Sequence, residues 1–229
     1  MKISGLEKLT LMDYPGHVAC IIFTQGCNFK CPFCHNAELI SCAKKECLKR
    51  ADIMSYLECR KKVLDGVVIS GGEPLLQPGI KELIREVKAK GLKVKLDTNG
   101  TNYQLLKELL DEKLIDYVAM DIKADANNYA KIIGFEHYDF TRVKNAIDIL
   151  AASGVDYEFR TTVVKEFHTL NALESICKYI GDKAKYYLQN FVDSDRVLEK
   201  GLNGFTDEEL REIQFSLNKN YPNVKVRGI

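Results

Sequence analysis

The sequence has 229 residues, of which 46% are hydrophobic and 28% are charged. These proportions are typical of a folded globular protein and exclude intrinsic disorder. The 33 Lys and Arg residues nearly balance the 32 Asp and Glu residues, so no overall charge attracts nucleic acid or an anionic membrane. No apolar stretch approaches the roughly 18 residues of a membrane span, and no signal segment is apparent. We therefore expect one cytoplasmic domain over residues 1–229, with neither a nucleic-acid nor a membrane partner.

Six short apolar segments rich in β-branched residues predict buried strands. They cover residues 18–24, 67–70, 92–98, 117–122, 157–164 and 184–192. Amphipathic segments with helical spacing lie between them, over residues 80–87, 103–112, 140–152 and 170–180. Thr206 and Glu209 have the spacing of a capping box and predict the start of a last helix.

Strands that alternate with helices are typical of βαβ units with a parallel sheet. A complete (β/α)₈ barrel takes about 250 residues, and this chain has room for six units. We therefore expect an α/β fold, a partial (β/α)₆ barrel whose parallel sheet is open on one side. A doubly wound sheet is the competing topology, and in both folds ligands bind beyond the carboxyl ends of the strands.

Eight cysteines are unusual in a cytoplasmic chain, where thiols stay reduced and do not stabilise folds as disulfides. Three of them, Cys27, Cys31 and Cys34, follow the first predicted strand with the spacing C-x3-C-x2-C. Three thiolates in so short a loop can bind three irons of a cubane cluster and leave the fourth iron open to a ligand.

The same loop allows two other interpretations. Cys31, Cys34 and His35 also match the C-x-x-C-H signature of covalent haem attachment, but that chemistry requires export and a signal segment. The three cysteines with His35 could instead bind a structural zinc, although zinc ligands usually come as two spaced pairs. A non-catalytic zinc or iron–sulfur binding module is therefore an alternative to an enzyme.

The cysteine motif, with Phe33 just before its third cysteine, resembles the signature of the radical S-adenosylmethionine (SAM) superfamily. A second motif of that superfamily is matched by Gly71, Gly72 and Glu73 at the end of the next predicted strand. The resemblance implies a partial (β/α)₆ barrel with one [4Fe–4S] cluster on the three cysteines and SAM on the open iron. It also implies that one electron cleaves SAM into methionine and a 5′-deoxyadenosyl radical, which removes hydrogen from an unactivated carbon.

The whole chain resembles the glycyl-radical-enzyme activating enzymes, above all those of anaerobic ribonucleoside-triphosphate reductase. The narrower signals are the Asp13-Tyr14-Pro15-Gly16 turn and the Cys34-His35-Asn36 extension. The resemblance implies that Asp13, Tyr14 and Gly16 lie near the entry of the partner's glycyl loop, and that a flavodoxin- or ferredoxin-type protein donates the electron. An activating enzyme for another glycyl radical enzyme, or a radical SAM enzyme for a small molecule, is the closest alternative.

The resemblance also assigns SAM contacts, with Gln189 or Asn190 replacing a histidine that some relatives present to the ribose. Asp97 and Asp121 are implied to hold a monovalent cation beside the SAM carboxylate. From the residues alone, Asp97 could instead end a strand in an Asx turn, and Arg160 needs an anionic partner that a structural carboxylate would supply as well as SAM. The implied cofactor-binding residues are Phe33, Gly71, Gly72, Glu73, Asp97, Lys123, Arg160 and Gln189.

The remaining cysteines have no motif. Cys20 and Cys177 fall on apolar faces and are predicted to fill the core. Cys42, Cys47 and Cys59 are too few for the ferredoxin-like insert, with two four-cysteine sets, that many relatives carry. We expect one cluster per chain, with these three either incidental thiols or, for Cys42 and Cys47, ligands of an auxiliary metal.

Overall fold

The computed structural model of this protein describes residues 1–40 and 47–228. The strands in this part of the chain are β1 (Ile3–Thr10), β2 (Ala19–Thr24), β3 (Gly66–Gly71), β4 (Lys93–Thr98), β5 (Tyr117–Asp121), β6 (Asp156–Val163), β7 (Tyr186–Asn190) and β8 (Val224–Arg227). The α-helices are α1 (Arg50–Arg60), α2 (Ile80–Ala89), α3 (Tyr103–Asp111), α4 (Tyr129–Ile132), α5 (Thr141–Ala152), α6 (Leu170–Ile180) and α7 (Asp207–Asn218). None of these helices has the length and apolar character needed to span a bilayer.

One sheet contains all these strands, in their order along the chain. The first pair, β1 and β2, is antiparallel, and every later pair is parallel. A doubly wound sheet would reverse its strand order near the middle, so that alternative is wrong. Six β/α units run from β2 to α7, β8 follows as an additional strand, and the sheet stays open because β1 and β8 are its edges. The predicted open α/β barrel is confirmed.

The sequence pattern did not reveal β1, β8 or the helices α1 and α4. Both strands lie at an edge of the sheet, so their residues are less buried than those of central strands and form no continuous apolar run. In α1, the buried residues are only Ile53 and Leu57, too few to make a helical period visible. The capping box at the start of α7 is present as predicted.

The two faces of the sheet differ in chemistry because successive side chains of a strand point to opposite faces. The outer face is apolar and is covered by helices: Ile80, Leu83, Ile84 and Val87 of α2 are at most 2% exposed. The other face, called the inner face below, is apolar only near the amino ends of the strands. Towards their carboxyl ends it carries Lys95 and Asp97 on β4, Asp121 on β5, Glu158 and Arg160 on β6, Gln189 on β7 and Arg227 on β8.

Tyr14 closes the amino end of the inner face. Its side chain is 2% exposed and packs in a small apolar cluster with Ile21, Val68 and Tyr117. The ring also approaches β3 so closely that a Cβ added to Gly66 would meet it at 2.8 Å. The turn between β1 and β2 is therefore fixed to the sheet through Tyr14, at the opposite end from the cysteine loop.

A buried histidine joins the carboxyl ends of β5 and β6. His168 is 1% exposed; its Nδ1 accepts the Val164 backbone N–H at 3.0 Å, and its Nε2 lies 3.0 Å from the carbonyl oxygen of Lys123. Both bonds form together only in the neutral ring with its proton on Nε2. Burial lowers the pKa of His168, against the opposing effects of these backbone groups and of Asp125.

Replacing the Tyr14 side chain should destabilise the fold. We expect Tyr14→Ala to lower the free energy of unfolding by about 3 kcal/mol, because it leaves a cavity in a close-packed cluster. The matched control Met12→Ala, in the same turn but 90% exposed, should change it by less than about 0.5 kcal/mol. Urea unfolding followed by circular dichroism measures both; equal effects would show that Tyr14 is not an anchor.

His168 should make the stability depend on pH. Because its pKa is lower in the folded than in the unfolded chain, its contribution is complete above the unfolded pKa of about 6.5 and is lost as the pH falls through the folded value. His168→Asn should therefore cost most stability near neutral pH and less in acid. Urea unfolding at neutral and acidic pH, with exposed His137→Asn as control, tests this; a cost that does not shrink in acid would contradict it.

Candidate active site

A cavity of about 230 Å³ lies beyond the carboxyl ends of the parallel strands. The structure gathers around it every residue that the sequence analysis assigned to the cluster, to SAM or to the cation. They are Cys27, Cys31, Phe33, Cys34, Gly71, Gly72, Glu73, Asp97, Asp121, Lys123, Arg160 and Gln189.

The cysteine loop is held by backbone hydrogen bonds to three separate segments. The backbone at the start of the loop hydrogen-bonds residues 39–40, and the N–H of Lys30 in its middle hydrogen-bonds residue 133. At the end of the loop, the carbonyl oxygens of Pro32 and Cys34 accept hydrogen bonds from residues 198–199. Phe29 is 2% exposed within an aromatic group that includes Tyr129 and Tyr138. These contacts fix the loop's conformation without using the thiols.

The thiols themselves are partly or fully buried. Burial raises the pKa of Cys27 to about 11 and that of Cys31 to about 12, although the charge of Lys123 opposes both shifts. Both thiols are therefore neutral without a metal ion bound to them. The backbone N–H of Phe29 points at the Cys27 sulfur at 3.4 Å, as expected for a donor that stabilises a thiolate. The donor set therefore fits an iron–sulfur cluster, whose positive irons would keep the buried thiolates charged.

The geometry does not favour the zinc interpretation. Among residues 1–40 and 47–228, no group of three or more His, Cys, Asp or Glu side chains is arranged around a single metal ion. The Nε2 atom of His35 lies 2.8 Å from the Val192 carbonyl oxygen. A cubane spreads its three thiolates over separate irons, whereas zinc gathers its ligands around one ion.

The two glycines at the end of β3 allow a close approach to the start of the cysteine loop. Gly71 has φ +114, and a Cβ there would meet the Thr24 carbonyl oxygen at 2.3 Å; a Cβ on Gly72 would meet the Gly26 oxygen at 2.1 Å. Side chains at these positions would clash with backbone, which cannot move away easily. The glycines are thus required for packing the loop onto β3.

Glu73 follows the glycines and is 1% exposed. Its carboxylate accepts hydrogen bonds from the backbone N–H groups of Leu75 and Asn99 at 3.0 and 2.7 Å, and from the Thr98 hydroxyl at 2.7 Å. Burial raises the pKa of Glu73 to about 7, although these three donors oppose the shift. Glu73 borders the cavity while connecting the ends of β3 and β4.

Five charged side chains form one network on the inner face. Arg160 donates from Nε to Asp121 at 2.8 Å and from Nη1 to Asp97 at 3.5 Å. Lys95 donates to Asp97, and Lys123 donates to Asp121 at 3.0 Å. Three cations thus face two carboxylates, which leaves one positive charge in the network.

Proximity of opposite charges outweighs burial in this network. Burial alone would raise the pKa of Asp121, but Arg160 and Lys123 hold it well below its usual range. Burial alone would lower the pKa of Arg160 and Lys123, and the carboxylates instead raise both, with Asp121 the main cause. Asp121, Lys123 and Arg160 therefore stay charged at neutral pH.

The structure separates the two candidates for the ribose contact. The side-chain amide of Asn190 makes two hydrogen bonds with the backbone of Phe205. It donates to the Phe205 carbonyl oxygen at 2.7 Å and accepts a bond from the Phe205 N–H at 3.0 Å. Gln189, on the inner face, lines the cavity. Of the two, only Gln189 is placed to contact a ligand there.

Three contributors to the site were not predicted. Ser70 donates to Asp97 at 3.2 Å, Lys95 donates to the same carboxylate, and His168 fixes the backbone of Lys123. Lys95 could have been found, because it is two residues before Asp97 and so shares its face of β4. His168 follows β6 in a segment without periodicity, so no sequence signal was available.

The turn between β1 and β2 does not reach this cavity. Asp13 lines a second cavity of about 370 Å³, nearer the amino ends of the strands, that shares Arg160 and Gln189 with the first. Tyr14 is buried as described above, so its side chain offers no surface to a partner. Gly16 has φ +74, a left-handed conformation that glycine adopts readily in a tight turn.

The other cysteines that the structure describes lie away from the cavity. Cys20 and Cys177 are completely buried, which confirms them as core residues, whereas Cys47 and Cys59 are exposed. The Cys47 thiol donates to Gln25 at 3.5 Å. Cys42 lies outside the described residues, so its predicted role stays a prediction.

Comparison with known proteins agrees with this geometry. The model of the radical SAM superfamily matches residues 21–180. A Methanocaldococcus jannaschii protein provisionally named a glycyl-radical enzyme activating enzyme is 36% identical, over 99% of this chain and 96% of its own. The pyruvate formate-lyase-activating enzyme of Clostridium pasteurianum is 29% identical, over 82% of this chain and 80% of its own.

A solved structure shares the fold. Streptococcus suis SuiB bound to S-adenosylmethionine superposes on 91% of this chain with a TM-score of 0.72 and 16% sequence identity. The match covers half the length of SuiB. That likeness concerns the fold alone, whereas the superfamily match and the full-length relative establish the family. The chain belongs to the radical SAM superfamily and, within it, to the glycyl-radical-enzyme activating enzymes.

Proposed function

We propose that this chain activates anaerobic ribonucleoside-triphosphate reductase by installing a radical on a glycine of its catalytic subunit. Residues 1–229 would act as one radical SAM core domain in the cytoplasm, with a flavodoxin- or ferredoxin-type electron donor. The observation that supports this most is the single cavity in which the three thiols meet the charged network of the inner face. The reductase is favoured over other targets by the Asp13–Gly16 turn and the Cys34-His35-Asn36 extension.

The residues around the cavity fit two of the implied groups. Cys27, Cys31 and Cys34 would hold three irons of a [4Fe–4S] cluster, and the cavity beside them would take SAM. When bound and reduced, the cluster would supply the one electron needed to cleave SAM, and the 5′-deoxyadenosyl radical so formed would take hydrogen from the target glycine. The implied monovalent cation does not fit, because Arg160 lies between Asp97 and Asp121.

The protein's own contribution is binding and positioning. The excess positive charge of the network, near Lys123 and Arg160, would neutralise the carboxylate of SAM. Gln189 would hydrogen-bond the ribose, and Phe33, 3% exposed against Phe167 and His168, would keep water from the cluster side. The second cavity, bordered by Asp13, would give the partner's loop a route towards Arg160 and Gln189.

A different glycyl radical enzyme is the second candidate target. The similarity to a pyruvate formate-lyase-activating enzyme over most of both chains supports it. The same site would serve either partner, because the chemistry at the glycine is the same and only the docking surface differs.

The identity of the target protein can be tested by asking which candidate partner acquires a glycyl radical. The anaerobically reconstituted enzyme, given SAM and dithionite, is mixed with the reductase catalytic subunit or with pyruvate formate-lyase, and glycyl radical is measured by electron paramagnetic resonance. We expect a signal only with the reductase, and none when its radical-bearing glycine is replaced by alanine. A signal only with pyruvate formate-lyase would favour the second candidate, and deoxyadenosine formation with neither radical would favour a small-molecule substrate.

Removing one cysteine should abolish the chemistry. Cys31→Ala leaves two thiolates, too few to retain a cubane, so we expect loss of bound iron and of 5′-deoxyadenosine after reconstitution. Cys59→Ala, which removes an exposed thiol away from the cavity, is the matched control and should keep both. Iron analysis and mass spectrometry give the result; SAM cleavage by Cys31→Ala would contradict the assignment.

A further inference from the structure

Arg160 lies between the two carboxylates to which the family resemblance assigns a monovalent cation. Its guanidinium donates to Asp121 at 2.8 Å and to Asp97 at 3.5 Å, from two different nitrogens. The Arg160 side chain is 13% exposed, so solvent screens these contacts little. A planar fork of donors is well suited to bridge two acceptors in this way.

The other oxygens of the two carboxylates are also occupied. Asp97 Oδ1 accepts from Lys95, and Asp97 Oδ2 accepts from Ser70 at 3.2 Å as well as from Arg160. Asp121 Oδ2 accepts from Lys123 at 3.0 Å. Each carboxylate oxygen therefore already has a donor, and most of those donors are cations.

The charge balance among the five side chains of the network also opposes an added cation. The network of three cations and two carboxylates already has an excess of one positive charge. The neighbouring Glu158 does not offset it, because both its oxygens bond Arg227 at 2.8 Å. A monovalent cation would increase the excess in a poorly solvated place, whereas the carboxylate of an amino-acid ligand would cancel it.

We infer that the Arg160 guanidinium is a built-in replacement for the monovalent cation, so that this chain binds SAM without sodium or potassium. The inference rests on the proposed function only for the identity of the ligand. Arg160 is then a positioning residue: it holds the two carboxylates in place and leaves Lys123 and its own outer edge for the ligand's carboxylate.

The dependence of SAM affinity on salt tests this inference. The dissociation constant of SAM for the anaerobically reconstituted enzyme is measured in sodium, potassium or tetramethylammonium chloride at equal ionic strength. We expect the three values for the wild type to agree within about threefold. A larger difference, with tighter binding in a small cation, would overturn the inference.

Arg160→Gln should create the dependence that the wild type lacks. Without the guanidinium, the two carboxylates repel each other, so SAM should bind about tenfold more weakly in tetramethylammonium, with affinity largely restored by sodium or potassium. Lys95→Gln is the matched control: it removes a cation from the same network but not the bridge, and should gain no dependence on the cation. An Arg160→Gln enzyme that is indifferent to the cation would contradict the proposal.

A measurement without SAM separates this inference from the proposed function. In the reconstituted, SAM-free protein, sodium should raise the thermal midpoint of Arg160→Gln by about 2 °C over tetramethylammonium and leave the wild type unchanged. If the wild type makes no 5′-deoxyadenosine, the proposed function fails while this comparison still decides the role of Arg160. Should Arg160→Gln not fold, the wild-type comparison decides alone: stabilisation by sodium overturns the inference, and its absence supports it.

Discussion

The site depends on charge that is buried but paired. A carboxylate or ammonium group removed from water without a partner would change its protonation or destabilise the fold. Here Asp97 on β4, Asp121 on β5 and Arg160 on β6 lie on adjacent parallel strands, and Asp121 is directly opposite Arg160 in the β5–β6 register. The pairing of the strands therefore sets the distances between the charged side chains. These side chains hold fixed positions because the three strands belong to one continuous sheet.

The cysteine loop is positioned by a different means. Its conformation comes from backbone hydrogen bonds to segments far apart in the chain and from the packing of Phe29 and Phe33. The absence of side chains at Gly71 and Gly72 brings it against β3. The cysteine loop and the charged network thus meet at one cavity but are positioned independently. Irregular backbone positions the loop, whereas regular strands position the network. A change in one is not expected to disturb the other unless it shifts the end of β3 or β4.

The sequence predicted the central strands and the residues that line the cavity, but not the contacts among those residues. Central strands can be recognised as apolar runs because both their faces are covered. The edge strands β1 and β8 are less buried and have no such run. The motifs placed residues at strand ends, and parallel strands then bring those ends together. A motif does not specify the partner of each side chain. Arg160 was expected to face SAM or a carboxylate, and the pairing of β5 with β6 places it against the carboxylate of Asp121. Likewise, the burial of Tyr14 against Ile21, Val68 and Tyr117 was not foreseen.

The open sheet has a consequence for self-association. An unpaired strand edge presents backbone donors and acceptors that can recruit another chain, and a closed barrel avoids this while an open one does not. The free edge of β1 is partly covered, because Leu48 pairs with Ile3 and the Tyr56 hydroxyl donates to the Lys8 carbonyl oxygen. The strand is also irregular, with two shifts of register against β2, and β8 at the other edge is only four residues long. Both edges are thus poor templates for edge-to-edge pairing with a strand of another chain.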